Sequence, residues 1–198
     1  MRPKTKLSPD LVISAYIQGI FPMYISSVDD IGWYQPDPRA VIPLDGFYIS
    51  RSLAKTLKSN KFEVTFDRDF EGVMKGCADR PEGTWISEEF FRVFGELHAR
   101  CDCHSVEVWY ERRLVGGVYG VALGGAFMAE SMFHYITDAS KVALAHLVQH
   151  LRNKGFILLD VQYLTPHLVS LGAVEIPHEQ YMERLDLALD IPTYFGEQ

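Results

Sequence analysis

Cysteines, long apolar runs and targeting signals are scarce in this chain of 198 residues. It has only three cysteines, an odd number, which argues against a disulfide framework and favours a reducing compartment. No apolar run approaches the roughly 20 residues that a membrane-spanning helix needs. The apolar core of a signal peptide is missing from the first ten residues, MRPKTKLSPD. We therefore expect a cytoplasmic protein without a membrane segment.

A metal site has little support from the sequence. His98, Cys101, Cys103 and His104 lie close together, but a lone CxC spacing is not a structural zinc signature. Partly buried thiols beside an ordinary loop are the simpler interpretation. We expect neither a metal nor another cofactor.

The charge is unevenly distributed along the chain. The net charge is −7, with 47% apolar and 23% charged residues, as in ordinary soluble globular proteins. Residues 1–61 carry a net charge of +3, whereas residues 62–198 carry −10. This division predicts a small basic and aromatic N-terminal subdomain, residues 1–61, and a larger catalytic domain, residues 62–198. It would suit a protein that holds an anion at one end and a cation at the other.

From residue 62 onward, the apolar periodicity predicts the order strand, helix, helix, three strands, helix, strand, helix, strand. Residues 114–122 and 126–133 read as two strands around the turn signal Gly124-Gly125. Thr137 or Asp138 could cap the next helix, which Gly155 would end. The order indicates an α+β fold with a mostly antiparallel central sheet.

Three polar residues interrupt apolar strands, where burial is costly unless they are paired or used. They are Glu130, Asp160 and Gln162. Asp160 and Gln162 are two apart on a strand and so share a face. Two alternatives stay open: Asp160 could be a hydrogen-bonded strand-end carboxylate, and Glu130 could form a salt bridge with Lys141 or Arg113.

One short helix carries a row of cations. Arg51, Lys55, Lys58 and Lys61 recur every three or four residues, and no acidic residue occurs from position 47 to 62. Such spacing places the four side chains on one face. The face could contact phosphates or could simply be solvated.

Several segments, taken together and in order, resemble the bacterial leucyl/phenylalanyl-tRNA–protein transferase family. The matches cover most of residues 8–178, and the segments that carry them are GIFPMY, WYQPDPRAV, ISRSL, GTWI, HSVEVW, LVGGVYGVALG, FMAESMF, ASKVAL, LLDVQ and SLGAVEIP. The resemblance implies transfer of Leu or Phe, and weakly Met, from aminoacyl-tRNA to acceptor proteins that begin with Arg or Lys. The product is marked for degradation. We expect the protein to act as a monomer.

The same resemblance assigns Asp160 and Gln162 to the catalytic centre. A neutral amide is a very poor base, so we expect Gln162 to orient the amine and Asp160 to supply charge. Glu130 could pair with the incoming ammonium or with the basic side chain of the acceptor.

The resemblance also implies an apolar pocket for the transferred amino acid. A regular strand would direct Phe127 and Met132 to opposite sides, so a shared pocket requires a bulge near Ala129. Plain core packing is the alternative. The lining comprises Val118, which stands where a methionine is expected, with Phe127, Met132, Leu144, Leu147, Leu151 and Leu159.

Aromatic residues are candidates to stack on the terminal adenosine of tRNA. They are Trp85, Tyr24, Trp33 and Tyr34. Met23 stands where a tryptophan is expected. Packing within the loops is the alternative for these rings.

Two other functions remain open. The predicted fold also resembles the acyl-CoA N-acyltransferases (the GNAT fold), so a CoA-dependent N-acetyltransferase is one. Those enzymes bind the CoA pyrophosphate with a glycine-rich loop, whereas residues 133–138 contain no glycine, and Asp138 would repel a diphosphate. The other is a non-catalytic module that binds tRNA or peptides.

Overall fold

A computed structural model describes residues 6–81 and 83–196. The first five residues of the predicted N-terminal subdomain, Glu82 of the loop at 80–85, and residues 197–198 lie outside these ranges. Within the described ranges, no helix is long and apolar enough to cross a membrane.

The described chain forms seven helices and nine strands. The helices are α1 Pro9–Ile17, α2 Arg51–Lys58, α3 Phe70–Ala78, α4 Glu88–Ala99, α5 Ala139–Lys154, α6 Pro166–Val169 and α7 His178–Leu189. The strands are β1 Phe21–Ile25, β2 Asp30–Tyr34, β3 Arg39–Val41, β4 Glu63–Phe66, β5 Cys103–Tyr110, β6 Arg113–Leu123, β7 Ala126–His134, β8 Leu158–Gln162 and β9 Val174–Ile176. The order predicted from residue 62 onward is confirmed.

A seven-stranded sheet organises the molecule, in the order β4-β5-β6-β7-β8-β3-β9. Neighbouring strands are antiparallel except β7 and β8, which are parallel. Strands β1 and β2 form a separate antiparallel hairpin. The prediction of a mixed, mostly antiparallel sheet flanked by helices is confirmed.

The segment before residue 62 contributes a strand to this same sheet. β3 lies between β8 and β9, with Ala40 opposite Gln162 and Val41 opposite both Asp160 and Val174. The boundary at residues 61 and 62 remains a prediction. The register of β3 places Arg39 next to the end of β8.

Apolar side chains cover both faces of the sheet. On one face α1, α3, α4 and α7 pack through residues such as Val12, Val73 and Leu185. On the other face α2, α5 and α6 pack through residues such as Leu53 and Leu147. The result is a three-layer arrangement with the sheet in the middle.

The residue at the predicted N-cap of α5 does not cap the helix with its side chain. Asp138 precedes α5 with φ 70°, and its carboxylate instead accepts from Thr56 at 3.2 Å and pairs with Lys141 at 3.3 Å. Gly155 ends α5 with φ 84°, as predicted.

A β-bulge interrupts the pairing of β6 with β7. Tyr119 lies opposite Ser131, and the next residue, Gly120, lies opposite Ala129. Glu130 is therefore the extra residue of the bulge. Phe127 and Met132 pack with the same apolar cluster, on the α5 side of the sheet. The bulge that their shared orientation requires is confirmed.

Candidate active site

The two parallel strands pair only where they begin. Ala126, Phe127 and Met128 of β7 lie opposite Leu158, Leu159 and Asp160 of β8. Beyond these pairs the strands are joined by side chains, since Gln162 Nε2 donates to Glu130 Oε1 at 3.2 Å. The sheet is therefore open at this point, and polar groups of both strands face the opening.

A cavity of about 390 Å³ lies at this opening. One part of its wall is apolar and another is polar. The lining includes side chains from the apolar clusters on both faces of the sheet. Its lining comprises Met23, Arg80, Trp85, Val118, Ala129, Glu130, Ser131, Met132, Val161, Gln162, Tyr163, Thr165, His167 and Leu168. This mixture is typical of a small-molecule site.

Glu130 is the buried acid of the cavity. Its Oε1 accepts hydrogen bonds from the Tyr16 hydroxyl and from Gln162, and Lys141 pairs with Asp138 instead. The alternative of a salt bridge from Glu130 to Lys141 or Arg113 is therefore wrong. Burial raises the pKa of Glu130 to about 8, although the Tyr16 hydrogen bond lowers it.

Asp160 lies behind Gln162 and is fully buried. Arg39 forms a two-pronged ion pair with it, through Nε to Oδ1 at 2.9 Å and Nη2 to Oδ2 at 2.6 Å. The Tyr181 hydroxyl donates to Oδ2 at 3.0 Å. The negative charge of Asp160 is thus balanced inside the protein, and its oxygens are already occupied.

Arg39 itself is held on several sides. Its guanidinium carbon lies 4.7 Å from the centre of the Phe21 ring and 4.6 Å from that of Tyr181. Nη1 donates to the Gly19 carbonyl at 3.0 Å. Burial alone would lower the pKa of Arg39, but the Asp160 carboxylate raises it well above its ordinary value.

Gln162 ends β8 in a left-handed conformation, with φ 65°. Its backbone N–H donates to Asp160 Oδ1 at 2.9 Å, which stabilises this uncommon geometry. The side-chain amide then reaches Glu130. Asp160 therefore acts on the cavity through the position of Gln162.

Comparison with known proteins matches most of the chain to one family. Residues 41–186 match the family described as "Leucyl/phenylalanyl-tRNA protein transferase", and residues 5–37 match its N-terminal domain. The chain belongs to the leucyl/phenylalanyl-tRNA–protein transferase family. Membership makes it an aminoacyltransferase, as the resemblance implies.

Relatives within the transferase family are similar along nearly their whole length. The leucyl/phenylalanyl-tRNA–protein transferase of Ruegeria sp. (strain TM1040) is 53% identical over 190 residues, which cover 96% of this chain and 90% of the relative. That of Rubrobacter xylanophilus is 51% identical over 192 residues, 96% of this chain and 100% of the relative. Among solved structures, a GCN5-related N-acetyltransferase from Kribbella flavida aligns with a TM-score of 0.48 and 11% identity. It covers 84% of this chain and 60% of that chain.

Apart from Asp160, Tyr24 and Trp33, the residues predicted for catalysis and substrate binding fall into two groups. Val118, Met132, Glu130, Gln162 and Trp85 line the cavity. The others are fully buried and belong to the apolar cluster with which Val118 and Met132 pack, so their pocket role remains a prediction. These buried residues are Phe127, Leu144, Leu147, Leu151 and Leu159.

The candidate stacking rings are also divided. Trp85 and Met23 line the cavity from the α4 side of the sheet. Trp33 packs against the core near the β1–β2 hairpin, and Tyr24 lies at a separate cavity of about 320 Å³, beside Asp29. Tyr34 stacks on Phe21 with ring centres 6.0 Å apart. Among the four rings, Trp85 alone is placed to meet a molecule inside the cavity.

The basic face of α2 is exposed. Arg51, Lys55 and Lys58 lie on α2, whereas Lys61 lies beyond the end of the helix, so the prediction that one helix carries all four cations is wrong for Lys61. All four side chains are exposed, and none forms an ion pair with any residue in the described ranges. The Lys61 ammonium lies over the rings of Phe62 and Tyr110, 4.8 and 5.4 Å from their centres. α2 packs on α5, whose N-terminal Lys141 is close to Asp138. A phosphate-contacting role remains a prediction.

Three side chains of the weak metal pattern take part in hydrogen bonds, whereas the exposed Cys101 contributes its backbone carbonyl, which lies 3.0 Å from His104 Nε2. His98 Nδ1 lies 2.8 Å from the Cys103 carbonyl, and His104 Nδ1 lies 2.7 Å from Asp67. The Cys103 thiol donates to the Gly120 carbonyl at 3.0 Å. In residues 6–81 and 83–196, no group of three or more potential ligands is placed to hold a metal.

Sequence reasoning missed several residues of the site. Tyr16, Arg39 and Tyr181 lie on α1, β3 and α7, far from Asp160 and Glu130 in sequence, and only the fold brings them together. His167 was missed too, although its imidazole lines the cavity. An arginine inside the apolar stretch RAVI was the one available signal for Arg39, because a buried arginine requires an acidic partner.

Proposed function

We propose that the chain transfers leucine or phenylalanine, and weakly methionine, from aminoacyl-tRNA to the N-terminal Arg or Lys of acceptor proteins. The added residue would mark these proteins for degradation, and the reaction would take place in the cytoplasm. One observation carries the proposal: the cavity has an apolar wall on one side and a buried acid on the other, and one oxygen of this acid has no hydrogen-bond partner among the described residues. The names of the relatives support the donor and the reaction.

The apolar wall supplies the site for the transferred side chain. Val118, Ala129, Met132 and Leu168 line it, and a Leu or Phe side chain gains about 1.5–3 kcal/mol from full burial. Val118 is smaller than methionine, so this wall leaves more room for a phenylalanine ring. The volume of about 390 Å³ is within the usual range for small ligands.

The acidic wall supplies the site for the acceptor terminus. Glu130 is the carboxylate that lines the cavity, whereas Asp160 is neutralised by Arg39. A chain that begins with Arg or Lys brings two positive charges, its α-ammonium and its side chain. Both are attracted to Glu130 and to the acidic part of the molecule.

The reaction is aminolysis of an ester, which needs mainly proximity and support for charge. An α-amino group titrates near about 8, so a useful fraction is neutral at cellular pH. Holding the amine against the ester carbonyl supplies much of the acceleration. Gln162 is placed to orient the amine, because its amide already reaches Glu130 at 3.2 Å.

The tRNA would approach along the exposed basic face of α2. The proposal does not extend to acetyl-CoA. Asp138 stands at the start of α5, where N-acetyltransferases bind the CoA pyrophosphate, and a carboxylate there opposes a diphosphate. We also propose that the protein acts as a monomer.

Incubation with Phe-tRNA and a peptide that begins with Arg tests the proposal directly. We expect mass spectrometry to find the peptide extended by one N-terminal phenylalanyl residue. The same peptide with an acetylated N-terminus is the control and should stay unchanged. A titration with acetyl-CoA runs in parallel. Tight binding of acetyl-CoA, with no phenylalanyl product, would overturn the proposal.

A further inference from the structure

The two oxygens of Glu130 have different surroundings. Oε1 accepts from Tyr16 and Gln162, whereas Oε2 is buried and has no hydrogen-bond partner among the described residues. The side chain is only 7% exposed. A buried acceptor without a partner destabilises the protein, because it has lost its hydrogen bonds to water. Because Glu130 lines the cavity, a donor group of the cavity's occupant can fill this vacant acceptor.

A β-bulge in the backbone sets the direction of the Glu130 side chain. Glu130 is the extra residue of the bulge between Ala129 and Ser131. Bulges re-aim a side chain, and they occur often beside active sites. Here the bulge lies on β7 just beyond the last residue that pairs with β8, so the carboxylate reaches the opening between the two strands.

Resting on the proposed function, we propose that Glu130 is the proton acceptor of the transfer. Oε2 takes the proton from the α-ammonium of the acceptor, while Tyr16 and Gln162 hold the carboxylate in place through Oε1. Glu130 thereby does more than recognise a positive charge. Asp160 and Gln162 act as positioning residues for this step.

The proton and bond changes balance as follows. Oε2 takes one proton from the ammonium and leaves a neutral amine. The nitrogen lone pair forms the new C–N bond at the ester carbonyl, and the C–O bond to the ribose breaks. Protonated Glu130 gives its proton to the leaving ribose oxygen and then takes the second proton that the new amide nitrogen loses. This last proton goes to solvent.

Other groups of the cavity are weaker candidates for this role. The Gln162 amide is not basic. Both carboxylate oxygens of Asp160 already accept hydrogen bonds, and the Asp160 side chain has no exposed surface. His167 is the rival, because its Nε2 is also buried without a partner in the described part of the chain. It lies near Lys141 and His134, whereas Glu130 is bonded to Gln162 directly.

The electrostatics around Glu130 suit reversible protonation. Burial raises its pKa to about 8, close to the ordinary value of an α-amino group. Proton exchange between groups of matched pKa costs little free energy, and a base works best near the operating pH. The titratable or charged groups that act on Glu130, or on which it acts, are Tyr16 from α1, Arg39 from β3, Asp160 from β8, Tyr119 from β6 and Cys103 from β5.

The substitution Glu130→Gln tests the role with little change of shape, since the amide oxygen still accepts from Tyr16 and Gln162. In single-turnover transfer from Phe-tRNA to an Arg peptide at about pH 6.5, we expect kcat to fall at least ~100-fold. The KM for the peptide should change much less. The deficit should narrow by about pH 8.5, because a larger fraction of the α-amine then arrives neutral. If Glu130 only recognises positive charge, the variant should instead have a raised KM for the peptide and an unchanged kcat. The ratio of wild-type to variant activity should then not change with pH.

Three further variants keep the test decisive. Glu107→Gln is the matched control, because Glu107 is also fully buried and hydrogen-bonded, to Thr65 and Ser105, but lies away from the cavity. It should keep wild-type kcat. Tyr16→Phe removes a bond that lowers the pKa of Glu130 and should move the acidic limb of kcat to higher pH. His167→Gln should lose less than Glu130→Gln.

The outcomes separate this inference from the proposed function. Wild-type protein that makes no phenylalanyl peptide would contradict the proposed function. Wild-type activity with an unchanged kcat in Glu130→Gln would overturn only the role of Glu130. If His167→Gln alone loses kcat, the proton acceptor is His167. An acidic limb unmoved by Tyr16→Phe would also contradict the assignment.

Discussion

Two buried carboxyl groups of this molecule have different partners. Asp160 has its own cation, Arg39, at 2.6 Å, whereas the partners of Glu130 among the described residues are the neutral donors Tyr16 and Gln162. A paired carboxylate contributes structure, and an unpaired one is available to a cationic substrate. This contrast explains why two acids so close together are assigned different roles.

Arg39→Met should destabilise the fold, because it leaves Asp160 ionised and unpaired in the core. We expect a loss of about 3–5 kcal/mol in the free energy of unfolding by urea. The double variant with Asp160→Asn should recover part of it. Arg68→Met is the control, since its pair with Glu63 at 2.8 Å is exposed, and should cost less than about 1 kcal/mol. Similar losses in both single variants would contradict a structural role for the buried pair.

Glu130 should make stability depend on pH. Its pKa is about 8 when folded, against the ordinary 4.5. The unfolded chain therefore loses its proton first, and stability should fall as pH rises from about 5 to 8, by at most about 1.4 kcal/mol per pH unit. Urea unfolding of Glu130→Gln beside wild type measures this, since the variant lacks this contribution. Parallel curves for the two proteins would show that the pKa is not raised.

At the scale of elements, the site depends on where strands stop pairing. β7 and β8 share three opposed pairs, and the bulge in β7 follows at once. Gly120 lies beside the bulge, and a Cβ there would overlap the carbonyl oxygen of Met128 and the ring of Phe127. The bulge and its glycine are therefore one local solution that sets the position of Glu130.

Gly120→Ala should disturb both stability and transfer. The overlap forces β7 to shift, at a cost of about 1–3 kcal/mol, and the displaced Glu130 should lower kcat. Gly95→Ala is a fitting control, because nothing lies near that position on α4 and alanine favours a helix by about 0.5–1 kcal/mol. Thermal unfolding and the Phe-transfer assay read both effects. Gly120→Ala with wild-type stability and kcat would show that the bulge tolerates a side chain.

The basic face of α2 makes a prediction about tRNA affinity. Neutralising Lys55 and Lys58 together should weaken binding and reduce the salt dependence of log K by about 1.5, the contribution of two phosphate contacts. Filter binding at several salt concentrations measures the slope. The control neutralises Lys75 and Arg92 on α3 and α4, which pack on the opposite face of the sheet. Equal slopes for the two double variants would mean that the face is merely solvated.

At the scale of the whole molecule, local patterns predicted the elements but not their long-range partners. Periodicity is local, so the order from residue 62, the hairpin at Gly124 and the end of α5 at Gly155 could be read from the sequence. The insertion of β3 beside β8 could not, because a three-residue strand has no periodicity. The roles of Arg39 and Tyr16 were missed because their hydrogen-bond partners lie more than a hundred residues away in the sequence.

The candidate site was predictable in part for a related reason. Glu130, Asp160 and Gln162 stand out because polar groups inside apolar strands need an explanation. The depth of each apolar residue could not be read, because pocket walls and core have the same composition. Val118 and Met132 line the cavity, whereas Leu144 and Leu151 lie in the core behind it.

We propose that Glu130, an acid beside an apolar cavity, selects a positively charged chain terminus to receive the esterified amino acid. Single-turnover kcat/KM for Phe transfer to peptides that differ only in their first residue tests it most directly. We predict that Arg and Lys peptides react at least ~100-fold faster than a Glu peptide, because like charges at Glu130 repel. Equal rates for the Arg and Glu peptides would contradict the claim.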